Sequence, residues 1–254
     1  MPKSARAHKA THEAKFYCKS SDGKTVYSTD NSFLYAERDG ALHRLDLFDR
    51  HYYKLRLWNG VPILEVDGLR MQLVRDFKTP LDYAKEIVGT LHIPPHGKAC
   101  ILDTCMGLGY TAMEAAKRRG VEKVITCEIS EAVITLAKWN PFGEGLFGEG
   151  SGNSRISVLH GSIADLIKTM PDSSYDFVIH DPPRFSHAPE LYSLDFYKEL
   201  HRVCKPDARV FHYVGSVGKK KGQRIEQGAM KKLGEAGFRI LRYSARLQGI
   251  FAGR

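Results

Sequence analysis

Residues 99–111, Ala-Cys-Ile-Leu-Asp-Thr-Cys-Met-Gly-Leu-Gly-Tyr-Thr, constrain this chain more than any other stretch. Cys100, Ile101, Leu102 and the closing Asp103 have strand composition, and the glycines at 107 and 109 interrupt it. A helical pattern then runs from Ala112 to Arg119. Strand, glycine turn and helix in that order put bare backbone N–H groups at a helix N-terminus, where an anionic or nucleotide-like ligand approaches closely. Glycine pairs also close ordinary turns, so the bend gains its weight from an acid further along the chain. Glu128 stands near the end of the next apolar run, 124–129, and 128 − 109 = 19 residues beyond the last loop glycine. At that spacing α/β nucleotide binders place a carboxylate that accepts from ribose hydroxyls.

The rest of the C-terminal region repeats the same alternation. Strand 99–103 leads to helix 111–119, closed by Gly120, and strand 123–128 to helix 131–138 with Ser130 as N-cap. A loop rich in Gly and Asn, 140–154, precedes strand 156–160 and helix 163–169. Strand 176–181 ends at Asp181, and helix 193–204 runs to a break at Lys205-Pro206. Strand 208–214, loop 215–222, helix 224–236 and a closing strand pair, 238–245 and 247–252, complete the pattern. Repeated βα units predict a mostly parallel sheet, whose ligands bind beyond the carboxyl ends of the strands. Asp103, Glu128, His160 and Asp181 all fall at such ends.

The first third reads differently. Residues 52–58 alternate, Asn59-Gly60 supplies a two-residue hairpin turn, 61–66 follow, and Asp67-Gly68 turns into 69–74. This predicts a small antiparallel meander that packs on the main domain or widens a substrate surface. From Pro80 the period changes, with Leu81, Ala84, Ile87, Val88 and Leu91 at helical spacing, ended by Pro94-Pro95-His96-Gly97. The expected division is a β-rich domain over 1–78, with a frayed basic tail, and an α/β domain over 79–254.

Composition narrows the function classes. No run approaches a membrane span of roughly 18 apolar residues, and residues 1–15 are polar and basic, so a cytoplasmic protein without a membrane partner is expected. The five cysteines, 18, 100, 105, 127 and 204, form no CxxC pair and no metal spacing, which argues against a disulfide framework or a bound metal. A net charge of +9 favours contact with a polyanion. The segment 215–224, Gly-Ser-Val-Gly-Lys-Lys-Lys-Gly-Gln-Arg, is the expected phosphate-contacting loop, through Lys219, Lys220, Lys221 and Arg224.

These motifs resemble those of class I S-adenosylmethionine-dependent methyltransferases over residues 80–254. Asp103-x-x-x-Gly107-x-Gly109 is similar to their first motif and Glu128 to their ribose-binding acid. His180-Asp181-Pro182-Pro183-Arg184-Phe185 is similar to their DPPY-type motif, and the closing strand pair to their ending. The resemblance implies a Rossmann-like, seven-stranded, mostly parallel sheet with a terminal antiparallel hairpin, carrying S-adenosylmethionine. Asp103, Thr104, Cys105, Met106, Gly107, Gly109, Tyr110 and Thr111 would then line the donor, with Glu128 on its ribose. Ile129 would lie against the adenine, and Gly161 and Ser162 at the adenine edge. Cys105 stands where the family usually has its first glycine, and Gly161-Ser162 replaces a common Gly-Asp. The whole chain looks most like an archaeal group with a small N-terminal β domain that methylates RNA base amines.

An exocyclic base amine is a poor nucleophile because its lone pair is delocalised into the ring. Two acceptors that hold its hydrogens out of the ring plane release that lone pair. The resemblance assigns this task to the Asp181 carboxylate and the Pro182 carbonyl, with Pro183 stiffening the corner. Either Phe185 or the guanidinium plane of Arg184 would stack on the base. Carbon-5 methylation is disfavoured, since no cysteine lies near the Pro-Pro turn in sequence. The activity that the resemblance implies is methylation of an RNA base amine, with cytidine N4 in ribosomal RNA preferred and adenine and guanine amines left open. An aminopropyltransferase of the polyamine-synthase type and a non-catalytic RNA-binding or assembly factor on this fold are the alternatives.

Overall fold

The computed structural model describes residues 15–19, 25–28, 33–38, 40–143, 145–147, 155–215 and 219–254. They fall into two compact units. One draws on Met1–Ala84, Gly107–Tyr110 and Ser130–Asn153, the other on Lys85–Met106, Thr111–Ile129 and Ser154–Arg254.

The first unit holds two four-stranded antiparallel sheets. β1 (Lys15–Lys19), β2 (Thr25–Ser28), β3 (Leu34–Arg38) and β4 (Ala41–Arg44) pair in chain order, as do β5 (Asp46–Asp49), β6 (His51–Trp58), β7 (Val61–Val66) and β8 (Leu69–Arg70). The expected meander is present as the second sheet, although its last strand closes at Arg70 rather than 74. Both predicted hairpin turns form. Asn59 and Gly60 have φ of 48° and 83°, Asp67 and Gly68 48° and 81°, the positive pair that a type I′ turn needs and that Asn, Asp and Gly tolerate best. Leu34, Leu45, Leu55, Ile63 and Leu64 form the core of this unit. Helix α3 (Glu131–Trp139) packs on β5 and β6. Its N-cap is Ser130, whose side chain accepts from the Val133 amide.

Helix α1 (Pro80–Thr90) begins on the expected proline. Thr79 and Asp82 close its start reciprocally. The Thr79 amide donates to Asp82 Oδ2 at 2.9 Å, and the Asp82 amide to Thr79 Oγ1 at 3.2 Å.

The second unit is a seven-stranded sheet. Its strands are β9 (Ala99–Asp103), β10 (Val121–Glu128), β11 (Ile156–His160), β12 (Tyr175–His180), β13 (Cys204–Tyr213), β14 (Arg239–Ser244) and β15 (Gly249–Gly253). They lie in the order β11-β10-β9-β12-β13-β15-β14. The first five are parallel, and β15 runs antiparallel to both of its neighbours. This is the Rossmann-like sheet with a terminal hairpin that the alternation and the resemblance led us to expect. Ile101, Leu102, Val124, Val178, Ile179, Val210 and Phe211 fill the strands. Helices α2 (Tyr110–Ala116), α4 (Ile163–Thr169), α5 (Leu194–Val203) and α6 (Lys219–Glu235) lie in four of the connections. Gly120, the expected helix stop, is fixed by packing, since a Cβ there would lie 1.8 Å from the Pro94 carbonyl oxygen. Among the described residues no helix is long and apolar enough to cross a membrane.

Two boundaries differ from expectation for physical reasons. The Lys205-Pro206 break lies inside β13 rather than before it, because the register shifts between Tyr175 and Phe177 of β12. Proline, with no N–H to donate, is tolerated at such an irregularity, and Asp207 turns through a φ of 64°. Helix α6 starts at Lys219 rather than 224. Lys219, Lys220 and Lys221 therefore belong to a first helical turn and not to a loop, which corrects the reading of 215–222. The side chains of these three lysines, and residues 1–14 of the basic tail, lie outside the described residues.

Candidate active site

The carboxyl ends of the parallel strands carry the chemistry-bearing residues in a row. Across the sheet they run His160 on β11, Glu128 on β10, Asp103 on β9, Asp181 just past β12 and Tyr213 on β13. Glu128 pairs with His160 in the parallel ladder, and His180 with His212. One strand separates β10 from β12, so Glu128 and Asp181 stand two strand spacings apart, about 10 Å along the rim.

Asp103 is completely buried. Its Oδ1 accepts from Thr111 Oγ1 at 3.1 Å and its Oδ2 from Thr126 Oγ1 at 2.6 Å. Burial raises its pKa from 3.8 to about 7, with the two threonine hydroxyls opposing the rise and the charges of Asp181 and Glu128 adding to it. Its carboxyl thus ties β9, β10 and the start of α2 together. That is a supporting role beneath the rim, where the resemblance implied a residue lining the donor.

The backbone beyond Asp103 straddles the neighbouring strands. The Thr104 amide donates to the Ile179 carbonyl of β12 at 2.9 Å, and the Met106 amide to the Cys127 carbonyl of β10 at 2.7 Å. Cys105, between them, is not among the described residues with positive φ, so it takes the place of the family's first glycine without strain. Burial holds its thiol well above 9, and the charges of Glu128, Asp103 and Asp181 push it further up. It stays protonated, which removes a thiolate nucleophile from this rim. Met106 is buried.

Gly107, Gly109 and Tyr110 cluster with the first unit. Both glycines turn left-handed, with φ of 52° and 77°, and a Cβ on Gly109 would lie 2.4 Å from Leu146 Cδ2. Gln72 is a residue that sequence reasoning passed over. Its Oε1 accepts from the Leu64 amide at 2.7 Å, while its Nε2 lies 3.9 Å from where a Cβ on Gly107 would stand. No motif in the sequence marks it. The Tyr110 hydroxyl, expected beside the donor, is spent inside this unit. It donates to the Pro62 carbonyl at 2.7 Å and accepts from Asn140 Nδ2 at 2.9 Å.

On the β10 side, Glu128 is half-buried. Ile129 beside it is 67% exposed, a large aliphatic side chain left in solvent at a strand end. The Gly161 amide donates to the Glu128 carbonyl at 2.8 Å, and Ser162 caps α4 without a side-chain hydrogen bond to the helix. A rim carboxylate, an exposed apolar side chain next to it and a hydroxyl not used in capping fit the ribose, adenine face and adenine edge of S-adenosylmethionine.

On the β12 side, Asp181 is half-buried and Pro182 buried, while Pro183, Arg184 and Phe185 are exposed. The Arg184 carbonyl accepts from the amides of His187 at 2.7 Å and Ala188 at 3.3 Å, which folds the segment into a turn. Tyr213 stands within electrostatic reach of both Asp181 and Arg184, and burial pushes its pKa up to about 12. His180 is completely buried. Its Nε2–H donates to the Leu191 carbonyl at 3.0 Å, and Nδ1 accepts from Thr104 Oγ1 at 2.7 Å. Burial lowers its pKa to about 4, so the ring is neutral and both nitrogens are committed. Arg224 is exposed on α6, in the same unit.

Three comparisons place this geometry among known proteins. A family model described as a methyltransferase domain matches residues 101–207. The protein MJ1233 of Methanocaldococcus jannaschii is 42% identical over 210 residues, which cover 82% of this chain and 69% of that one. Polyamine aminopropyltransferase 2 of Streptomyces coelicolor is 33% identical over 125 residues, 48% of this chain but only 22% of that protein. Among solved structures, the spermidine synthase of Thermotoga maritima superposes with a TM-score of 0.60, covering 98% of this chain and 81% of that one. At 17% identity that likeness concerns the fold alone.

Proposed function

We propose that this chain, which belongs to the class I S-adenosylmethionine-dependent methyltransferases and to one family with MJ1233, methylates an exocyclic base amine in RNA, with cytidine N4 of ribosomal RNA as the preferred target. The observation that carries the reading is the corner Asp181-Pro182-Pro183, set at the end of β12 two strands from Glu128. Glu128 would hold the donor's ribose and Ile129 its adenine, with Gly161 and Ser162 at the adenine edge. When bound, S-adenosylmethionine supplies an electrophilic methyl group on a sulfonium. The work left to the protein is orientation and electrostatics. The Asp181 carboxylate and the Pro182 carbonyl each accept one N–H of the amine, which tips its lone pair out of the ring plane, and Asp181 is placed to receive the proton lost. Phe185, 41% exposed beside the corner, offers an aromatic face to an extruded base. Arg184, with Arg224 and the lysines of the first turn of α6, supplies positive charge for the phosphate backbone.

A second reading is transfer of an aminopropyl group to a polyamine, favoured by the names of the Streptomyces relative and the Thermotoga structure. Against it stands Pro-Pro-Arg-Phe after Asp181, which places a cation where a cationic amine acceptor needs carboxylates.

The two part in one experiment. The purified protein is incubated with methyl-labelled S-adenosylmethionine and ribosomal RNA from a strain lacking the gene, and in parallel with decarboxylated S-adenosylmethionine and putrescine. Label in a methylated cytidine, lost by about 10²–10³-fold in Asp181→Ala while donor binding persists, is the expected result. Spermidine in the second reaction and no label in RNA would replace the first reading by the second.

A further inference from the structure

We propose that Tyr192 is a positioning residue for the Asp181-Pro182-Pro183 corner, holding in one fixed arrangement both the Pro183 carbonyl, one residue beyond the acceptor carbonyl of Pro182, and the aromatic ring that faces the base. The inference rests on the reading of that corner as the amine-binding site, and the observations behind it come from the segment Pro189–Tyr192, a 3-10 turn leading into α5.

Tyr192 is 2% exposed, yet its hydroxyl reaches back to the corner and donates to the Pro183 carbonyl at 2.9 Å. Burial raises its pKa, with the charge of Asp181 among the further causes, so the phenol remains a neutral donor throughout the working range. Its ring meets the Phe185 ring edge to face, with centroids 5.5 Å apart and planes at 76°. One side chain therefore grips the corner at two points, through a hydrogen bond on the Pro183 oxygen and an aromatic contact on Phe185.

The grip is itself anchored. His180 Nε2–H donates to the Leu191 carbonyl at 3.0 Å, and Lys232 Nζ to the Tyr192 carbonyl at 3.0 Å. Behind the ring lie His180 and His212, with centroids 6.4 Å and 5.2 Å from that of Tyr192. His212 Nε2 in turn accepts from the buried Tyr197 hydroxyl at 2.7 Å. The strand that ends in the corner is thus bonded to the turn that carries Tyr192, and Tyr192 is bonded back to the corner.

The need for such a grip stems from the chemistry. Proline fixes φ at 182 and 183 but leaves ψ open, so ring closure alone does not aim the carbonyls. A donor on the Pro183 oxygen sets ψ of Pro183 and the plane of the peptide after it, and so restrains the segment that follows the Pro182 oxygen. The same bond spends the Pro183 carbonyl, so that it does not compete with Pro182 for the amine. Methyl transfer is sensitive to such aiming, since a misplacement of about 1 Å costs about 10²-fold in rate.

The test is Tyr192→Phe, which keeps the ring and removes the hydroxyl. Hydrogen exchange followed by mass spectrometry reads the amides of His187 and Ala188, both bonded to Arg184 in the turn beyond the corner. They should exchange about tenfold faster in the variant, with the thermal midpoint within a few degrees of wild type and the dissociation constant for S-adenosylmethionine unchanged. On the ribosomal RNA substrate kcat should fall by about 10- to 100-fold with KM for the donor unmoved. Wild-type exchange at both amides overturns the proposal, as does a fall in donor affinity equal to the fall in kcat, which would mark a merely structural role. Should wild type methylate no RNA, the functional reading fails, and the exchange experiment still decides whether Tyr192 holds the corner. If Tyr192→Phe does not fold, Lys232→Met, which frees the turn carrying Tyr192, should speed the same two amides, and wild-type exchange in that variant refutes the proposal.

Discussion

Replacing Asp103 by asparagine should make the protein more stable at pH 8, and by an amount that grows with pH. The carboxyl is completely buried between Thr111 and Thr126, and burial lifts its pKa from 3.8 to about 7. An acid whose folded pKa lies above its unfolded one binds more protons when folded, so stability is greatest at low pH and is lost as pH rises through 3.8 to about 7. At 1.36 kcal/mol per pKa unit, the ionised carboxylate costs the folded state about 4 kcal/mol above pH 7. Asparagine has the same shape and no charge, and the threonine hydroxyls can accept from its amide as readily as they donate. From pH 5 to pH 8 the stability of Asp103→Asn minus that of wild type should therefore increase by about 3 kcal/mol. The difference is the informative quantity, because wild type alone mixes opposing slopes. Burial depresses the pKa of His180 to about 4 and that of His212 well below 6.5, so these rings cost stability as pH falls from 6.5. They are common to both proteins and cancel. Urea unfolding at pH 5, 6, 7 and 8 measures the gap, and a gap that stays constant or narrows over that range would refute the reasoning.

Two further outcomes are expected. Glu128→Gln removes a charged acceptor for the ribose hydroxyls and should weaken S-adenosylmethionine binding about 10- to 100-fold by titration calorimetry, the effect of losing a charge-assisted hydrogen bond of about 1.5–3 kcal/mol; an unaltered dissociation constant would remove Glu128 from the site. Gly109→Ala adds a Cβ 2.4 Å from Leu146 Cδ2 at a φ of 77° and should destabilise the fold by about 1–3 kcal/mol in thermal or urea unfolding, so a protein of wild-type stability would mean that the bend and the Leu146 contact relax freely.

Local features were legible because local rules set them. The type I′ turns arise from Asn59-Gly60 and Asp67-Gly68, the start of α3 from Ser130, and the strands 99–103 and 156–160 from their own side chains. The errors lie where a distant partner decides. Pro206 reads as a break in isolation but sits inside β13 because the ladder with β12 shifts there. The glycine-containing Lys219–Arg224 stretch reads as a loop from its own composition, yet its backbone is helical. Tyr192 carries no signal at all, since its value lies in reaching Pro183 across a turn.

The sequence by itself determined that strands and helices alternate, that a glycine bend follows the first strand of the sheet, and that Asp103, Glu128 and the Asp181 corner stand at strand ends, since period, turn chemistry and capping act within a few residues. Only the tertiary structure decided what each acid does. Glu128 lies half-buried at the rim, whereas Asp103, also at a strand end, is sealed under two threonines. That division depends on the order β10-β9-β12, which buries the end of the central strand between its neighbours, and burial of a charge is a property of surroundings assembled from across the chain.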